Sequence, residues 1–147
     1  MKTNGITFAQ MVEALGCEEV DPNITEENFP IPPRNRDAYD LDTICFDEFM
    51  SPYAARTNLA AQGLEPGDFA DLCEYGTKNP DEQKEHTIKE IGSIWDGDTE
   101  RHRFMAALST RDKCDLKDLQ IHKVRTLELH HDGGHFPGTH ILIRRPK

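Results

Sequence analysis

The sequence predicts a helix-rich α+β fold: several short helices followed by a C-terminal antiparallel β-hairpin, in one domain spanning residues 1–147. Three observations carry that expectation. Apolar residues recur at helical spacing through the first two thirds, with capping residues where the segments begin. The period changes to two after residue 126, where Leu127 and Leu129 alternate with Glu128 and His130. Turn formers then crowd Asp132-Gly133-Gly134-His135-Phe136-Pro137-Gly138, ahead of the strand-like run Ile141-Leu142-Ile143.

The first helix starts at Thr7, whose spacing to Gln10 is that of a capping box. Phe8, Met11, Val12 and Leu15 share one helical face, and Gly16 offers a left-handed stop. Residues 17–36 form an irregular strap, because Pro30, Pro32 and Pro33 exclude a helix there. A second helix is expected from about Tyr39 to Met50, with Leu41, Ile44, Cys45, Phe46 and Phe49 on a broad apolar face. Ser51-Pro52 starts a third, which ends before Gly63. Pro66-Gly67-Asp68 opens a fourth, with Phe69, Leu72 and Cys73 inward and Gly76 as its stop. Asn79-Pro80-Asp81-Glu82 combines a capping Asn, Pro at the first helical position and acids in the first turn. Ile88, Ile91, Ile94 and Trp95 would bury one side of that helix. Asp96-Gly97-Asp98 is a turn, and Thr99 caps a last helix running to about Leu108. Residues 121–147 form the hairpin.

Composition narrows the class. Hydrophobic residues make up 36% of the 147, and seven Phe, three Tyr and one Trp are enough to seed a core. No apolar run approaches the roughly 18 residues of a membrane helix, and no secretory signal opens the chain, so a membrane partner is not expected. Cys17, Cys45, Cys73 and Cys114 lie far apart, which excludes zinc-ribbon and thioredoxin-type pairs. Reduced thiols in the cytoplasm follow as the expectation, mostly as small buried hydrophobes. Net charge is −10, yet residues 101–147 carry 10 basic against 5 acidic side chains. The acidic body opposes non-specific nucleic-acid binding, which depends on neutralising phosphates.

Histidines concentrate at the C-terminal end: His122, His130, His131, His135 and His140. If Leu129 pairs with Ile141, Glu128, His130, His140 and Arg144 face away from the core, with His130 opposite His140. His135, in the Gly-rich loop, would lean over the same end. Glu128, His130, His135 and His140 are thus candidate ligands for a divalent metal, zinc or iron. His130 and His140 are equally candidates for metal-free acid–base catalysis, with Arg125, Arg144 and Arg145 binding the anion. A polar strand face without chemistry explains the same residues. The chain lacks H-E-x-x-H, G-x-S-x-G, P-loop and dinucleotide fingerprints.

That absence directs the leading expectation toward a small binding or regulatory protein that acts through a protein partner. Its expected contact is an acidic helical surface that includes Asp37, Asp40, Asp42, Asp47 and Glu48. Two alternatives stand beside it. One is a small His-based hydrolase or phosphodiesterase with its site on the hairpin. The other is a nucleic-acid-binding regulator that uses the basic C-terminal third.

Overall fold

The computed structural model describes residues 2, 3, 5–97, 103–131 and 138–147. A mixed sheet dominates, which overturns the helix-rich expectation. A small N-terminal pair, β1 (Lys2–Thr3) and β2 (Ile6–Thr7), leads into helix α1 (Phe8–Ala14). There follow β3 (Glu19–Val20), a 3-10 turn at Arg36–Ala38, β4 (Tyr39–Cys45), α2 (Pro52–Ala61) and β5 (Glu65–Pro66). The rest of the chain is α3 (Phe69–Lys78), α4 (Glu82–Glu85), β6 (Ile88–Lys89), β7 (Phe104–Asp115), β8 (Gln120–His131) and β9 (His140–Pro146). The sheet order is β3-β8-β7-β6-β9-β4, with β5 also paired to β9.

Three helix starts form as their local chemistry predicts. The Thr7–Gln10 capping box closes in both directions, and Gly16 takes a φ of 68° beyond the end of α1. Ser51 Oγ accepts from the Ala54 amide, with Pro52 at the first helical position. Asp68 and Asp71 cap each other's amides at the start of α3. Gly76 is not a stop. It sits inside α3, where an added Cβ would overlap Leu108 Cδ1, so its hydrogen lets the helix close onto β7.

Three expected helices are replaced by strand or shortened. Residues 39–45 are β4: Tyr39, Leu41 and Thr43 turn to one face, Asp40, Asp42 and Ile44 to the other. The Asn79 start yields one turn only, α4, before the chain enters β6. Residues 104–108 begin β7, not the end of a helix, because Met105, Ala106, Ala107 and Leu108 are buried on both faces of the sheet. Thr99 and the loop residues 132–137, His135 among them, lie outside the described residues.

The hairpin also has different partners. β8 pairs with β7, from Phe104↔His131 to Asp115↔Gln120. β9 lies two strands away, antiparallel to β4 and parallel to β6. The expected Leu129–Ile141 pairing is therefore not formed.

Helices α1, α3 and α4 and the 21–38 strap cover one face of the sheet. Phe8, Leu15, Phe29, Phe69 and Leu72 pack there on Leu108, Leu127 and Leu142. Helix α2 covers only part of the other face, where Ala55 and Leu59 meet Ile91, Met105, Ile141 and Ile143. The opposite-face positions of β6, β7 and β8 carry mainly polar side chains.

Candidate functional site

The sequence-derived histidine site does not assemble. Ile141 and Ile143 point toward α2, so His140 points to the α3 face, while His130 faces the other way beside Met105. Strands β7 and β6 separate them. His140 stacks on His86 with ring centroids 4.0 Å apart, and its Nδ1 is 3.2 Å from Thr43 Oγ1. Burial and the neighbouring His86 lower its pKa. Cys45, expected in the core, is exposed and lies across from His140 in the ladder.

The arginines also separate. Arg144 donates from Nε to Asp71 at 2.7 Å and from Nη2 to Asp68 at 2.8 Å. Arg34 Nη1 adds a 2.6 Å contact to Asp71, and the Tyr39 hydroxyl donates to the same carboxylate at 2.8 Å. Arg144 therefore ties β9 to the start of α3. Burial pushes Asp71 up. The Asp68 amide, Arg144, Tyr39 and Arg34 outweigh it and hold the carboxyl below its ordinary value. Burial and repulsion from Asp71 push Asp68 the other way. Arg125 bonds to the Leu15 carbonyl and to Gln83 Oε1, each at 2.9 Å. Arg145 stays exposed, 3.3 Å from Asp42.

The acidic surface is not helical. Asp40 and Asp42 lie on the edge strand β4, Asp37 in the 3-10 turn, and Asp47 and Glu48 in the loop after β4. Lys147 is 3.8 Å from Asp40, so cations of the C-terminal segment offset part of that edge.

Two arrangements remain with chemical content. The first is on the polar face of β6–β8. Glu128 accepts from Thr126 Oγ1 at 2.5 Å and lies 3.0 Å from His130 Nε2. The His130 contact holds the Glu128 carboxyl below its ordinary value. Register puts Glu128, Ala107 and Lys89 in one cross-strand row on this face. The Glu128–His130 half of this group was readable from strand alternation. Lys89 was not, because only the three-strand register brings it there.

The second is the outer end of the β7–β8 pair. Neither β6 nor β3 accompanies the residues beyond Arg111 and Val124, so 112–123 project as a two-stranded arm. Leu116, Leu119 and Ile121 at its tip are 85%, 79% and 70% exposed. Leu119 has φ of 55°, the left-handed region where Gly or Asn is usual. The Asp115 carboxylate accepts from the Lys117 amide, and Asp118 from the Gln120 amide, which fixes the turn. Asp115, Asp118 and His122 bring ligand atoms within 4.8 Å of one another. They are mostly exposed, and none belongs to the set expected from the sequence.

Among the described residues, no helix is long and apolar enough to cross a membrane. Comparison of the chain with protein-family models, with curated proteins and with solved structures gives no match in any of the three.

Proposed function

We propose that the chain is a protein-interaction module whose contact element is the tip of the β7–β8 arm. The carrying observation is the exposure of Leu116, Leu119 and Ile121 together at the end of a projecting hairpin. Large aliphatic side chains gathered in one exposed patch mark interaction surfaces, whereas scattered ones do not. A two-stranded hairpin is also marginal alone in water, so a partner that covers the tip would stabilise it. Leu119 strengthens the reading. A branched side chain at positive φ costs roughly 1–2 kcal/mol, which local stability gives no reason to retain.

The first partner to test is a second copy. Between α1 and α3 the chain has an apolar recess of about 260 Å³, lined by Ile6, Met11, Ala14, Ala70 and Cys73. Arg34, Glu74 and Lys78 form its rim. A leucine from another chain's tip fits that chemistry. The acidic edge of β4 is a weaker contact, because Arg145 and Lys147 lie against two of its carboxylates. Cytoplasmic residence accords with four unpaired thiols.

The test compares wild type with the Leu116→Ser/Leu119→Asn/Ile121→Thr variant, by sedimentation velocity and by quantitative pull-down. The proposal expects the variant to stay folded and to lose self-association or a specific set of captured proteins. Identical profiles for the two proteins would refute it.

A further inference from the structure

Beyond the arm tip, we propose that the outer edge of β4 takes up an extended basic peptide as an added strand, with one peptide side chain seated between β4 and α3. The two edges of the sheet differ in kind. At one edge, β3 is two residues long and Pro22 follows closely. At the other, β4 runs for seven residues in register with β9, from Tyr39↔Pro146 to Cys45↔His140. It contains no Pro, Gly, Lys or Arg. Short strands, prolines and lysines are the usual means of closing an edge to further pairing, and β4 has none of them.

The ladder decides which main-chain groups face outward. His140 donates its amide to the Thr87 carbonyl, and the Leu142 carbonyl accepts from the Gly67 amide. The main-chain groups of 140, 142 and 144 therefore turn away from β4, and those of 141, 143 and 145 pair with Ile44, Asp42 and Asp40. Tyr39, Leu41, Thr43 and Cys45 are left with their amides and carbonyls on the open side. Two of these groups are closed from within the chain. Arg36 donates to the Tyr39 carbonyl, and the Thr43 amide donates to Asp42 Oδ1. The Leu41 amide and carbonyl and the Thr43 carbonyl have no hydrogen-bond partner among the described residues. They are the centre of a template for one more strand.

The flanking surface selects the occupant. Beside this edge lies a recess of about 350 Å³, lined in part by Leu41, Glu74, Tyr75, Lys78 and Asn79. Leu41 packs with the α3 core, so a peptide residue opposite it shares that face and enters the recess. The peptide residues on either side of it fall on the face of Asp40 and Asp42. Residues 37–48 carry five exposed acids, Asp37, Asp40, Asp42, Asp47 and Glu48, and no cation. Arg145 and Lys147 approach Asp42 and Asp40 at 3.3 and 3.8 Å, which leaves the stretch net negative. The fitting occupant thus has Lys or Arg at two alternate positions around the side chain that fills the recess. A second β4 edge is a poorer occupant, because it brings the same acids on a chain of net charge −10.

The experiment titrates the isotope-labelled full chain with capped peptides Thr-Val-Lys-X-Lys-Val-Thr, with Val, Tyr or Gln at X, and follows amide shifts by NMR. The expected result is saturable binding by at least one of them below about 1 mM. The largest shifts should fall at Leu41, Thr43, Tyr75 and Lys78. Replacing both peptide lysines by Glu should weaken binding at least about tenfold. Leu41→Pro removes an outward amide that β9 does not use, and it should weaken binding as much. No saturation by any of these peptides, equal affinity for the Glu versions, or shifts centred elsewhere on the protein overturns the proposal. Self-association of the wild type that Leu41→Pro abolishes would give the edge to a second copy and overturn it too. The shift map and the Glu peptides need only the wild-type protein, so they decide the matter even if Leu41→Pro does not fold. The arm variant Leu116→Ser/Leu119→Asn/Ile121→Thr should bind the lysine peptides as the wild type does, so the edge and the arm tip stand or fail separately.

Discussion

Replacing Asp71 by Asn tests the link between α3, β4 and β9 most directly. The carboxylate is fully buried and meets Arg34, Arg144, the Tyr39 hydroxyl and the Asp68 amide. Asn keeps the shape but removes the charge. The Arg34 and Arg144 side chains, 5% and 18% exposed, would then share Asp68 as their one carboxylate among the described residues. Breaking one partner out of a buried ion network costs about 3–5 kcal/mol. In a chain of this size each kcal/mol lowers Tm by about 2–4 °C, so a fall of about 6–20 °C is expected. Asp42→Asn is the control: its pair with Arg145 is about half exposed on both sides, and such pairs contribute about 0–1 kcal/mol. Urea and thermal unfolding followed by circular dichroism would measure both. The sign with pH follows from the depressed carboxyl. Its stabilisation is present above the unfolded value near 3.9 and is lost as pH falls through the lower folded value. If Asp71→Asn cost no more than Asp42→Asn, the network would not be the clamp described above.

Three further outcomes are expected. Gly76→Ala should destabilise by about 1–3 kcal/mol in urea unfolding, because the new methyl would press on the buried side chains of Leu108 and Leu15. Glu90 is fully buried with Oε1 unpartnered among the described residues, and burial raises its pKa well above the ordinary carboxylate value. The native state thus holds a proton that the unfolded chain releases near pH 4.3, and stability should decline as pH rises from there through the raised value. Glu90→Gln should flatten that decline, and an unchanged pH profile would contradict it. Leu119→Asn should raise the unfolding free energy by several tenths to about 1 kcal/mol, since Asn tolerates positive φ, while it weakens tip-mediated binding.

Legibility followed locality. Thr7, Ser51 and Asp68 announced their helices because a cap is a contact between residues three apart. Residues 39–45 misled because Leu41, Ile44 and Cys45 fit a helical stripe, while the operative pattern, Tyr39-Leu41-Thr43, has period two. Phe104–Leu108 misled for another reason. Burial on both faces of the sheet erases the alternation that identifies a strand, and Ala106 and Ala107 suit a helix equally well. The arm escaped notice because a hairpin with both faces in water has no core-facing pattern to display. At the candidate site, the i, i+2 relation of Glu128 and His130 was visible. Lys89 depends on pairings β6–β7 and β7–β8 over distances in sequence that no local signal spans.

The position of β9 sets the order in which the molecule is completed. Every residue of β4 waits for a partner made far later in the chain, from Cys45↔His140 to Tyr39↔Pro146. β5 and β6 also depend on that strand, which has neighbours on both sides. During synthesis, the sheet that α1 and α3 cover is unfinished until β9 emerges with Leu142, the last member of their shared core. Contacts of such long range slow folding and prolong exposure of unpaired edges. A nascent chain of this kind is a natural client for chaperones, and a fragment cut before residue 140 should be degraded rather than accumulate.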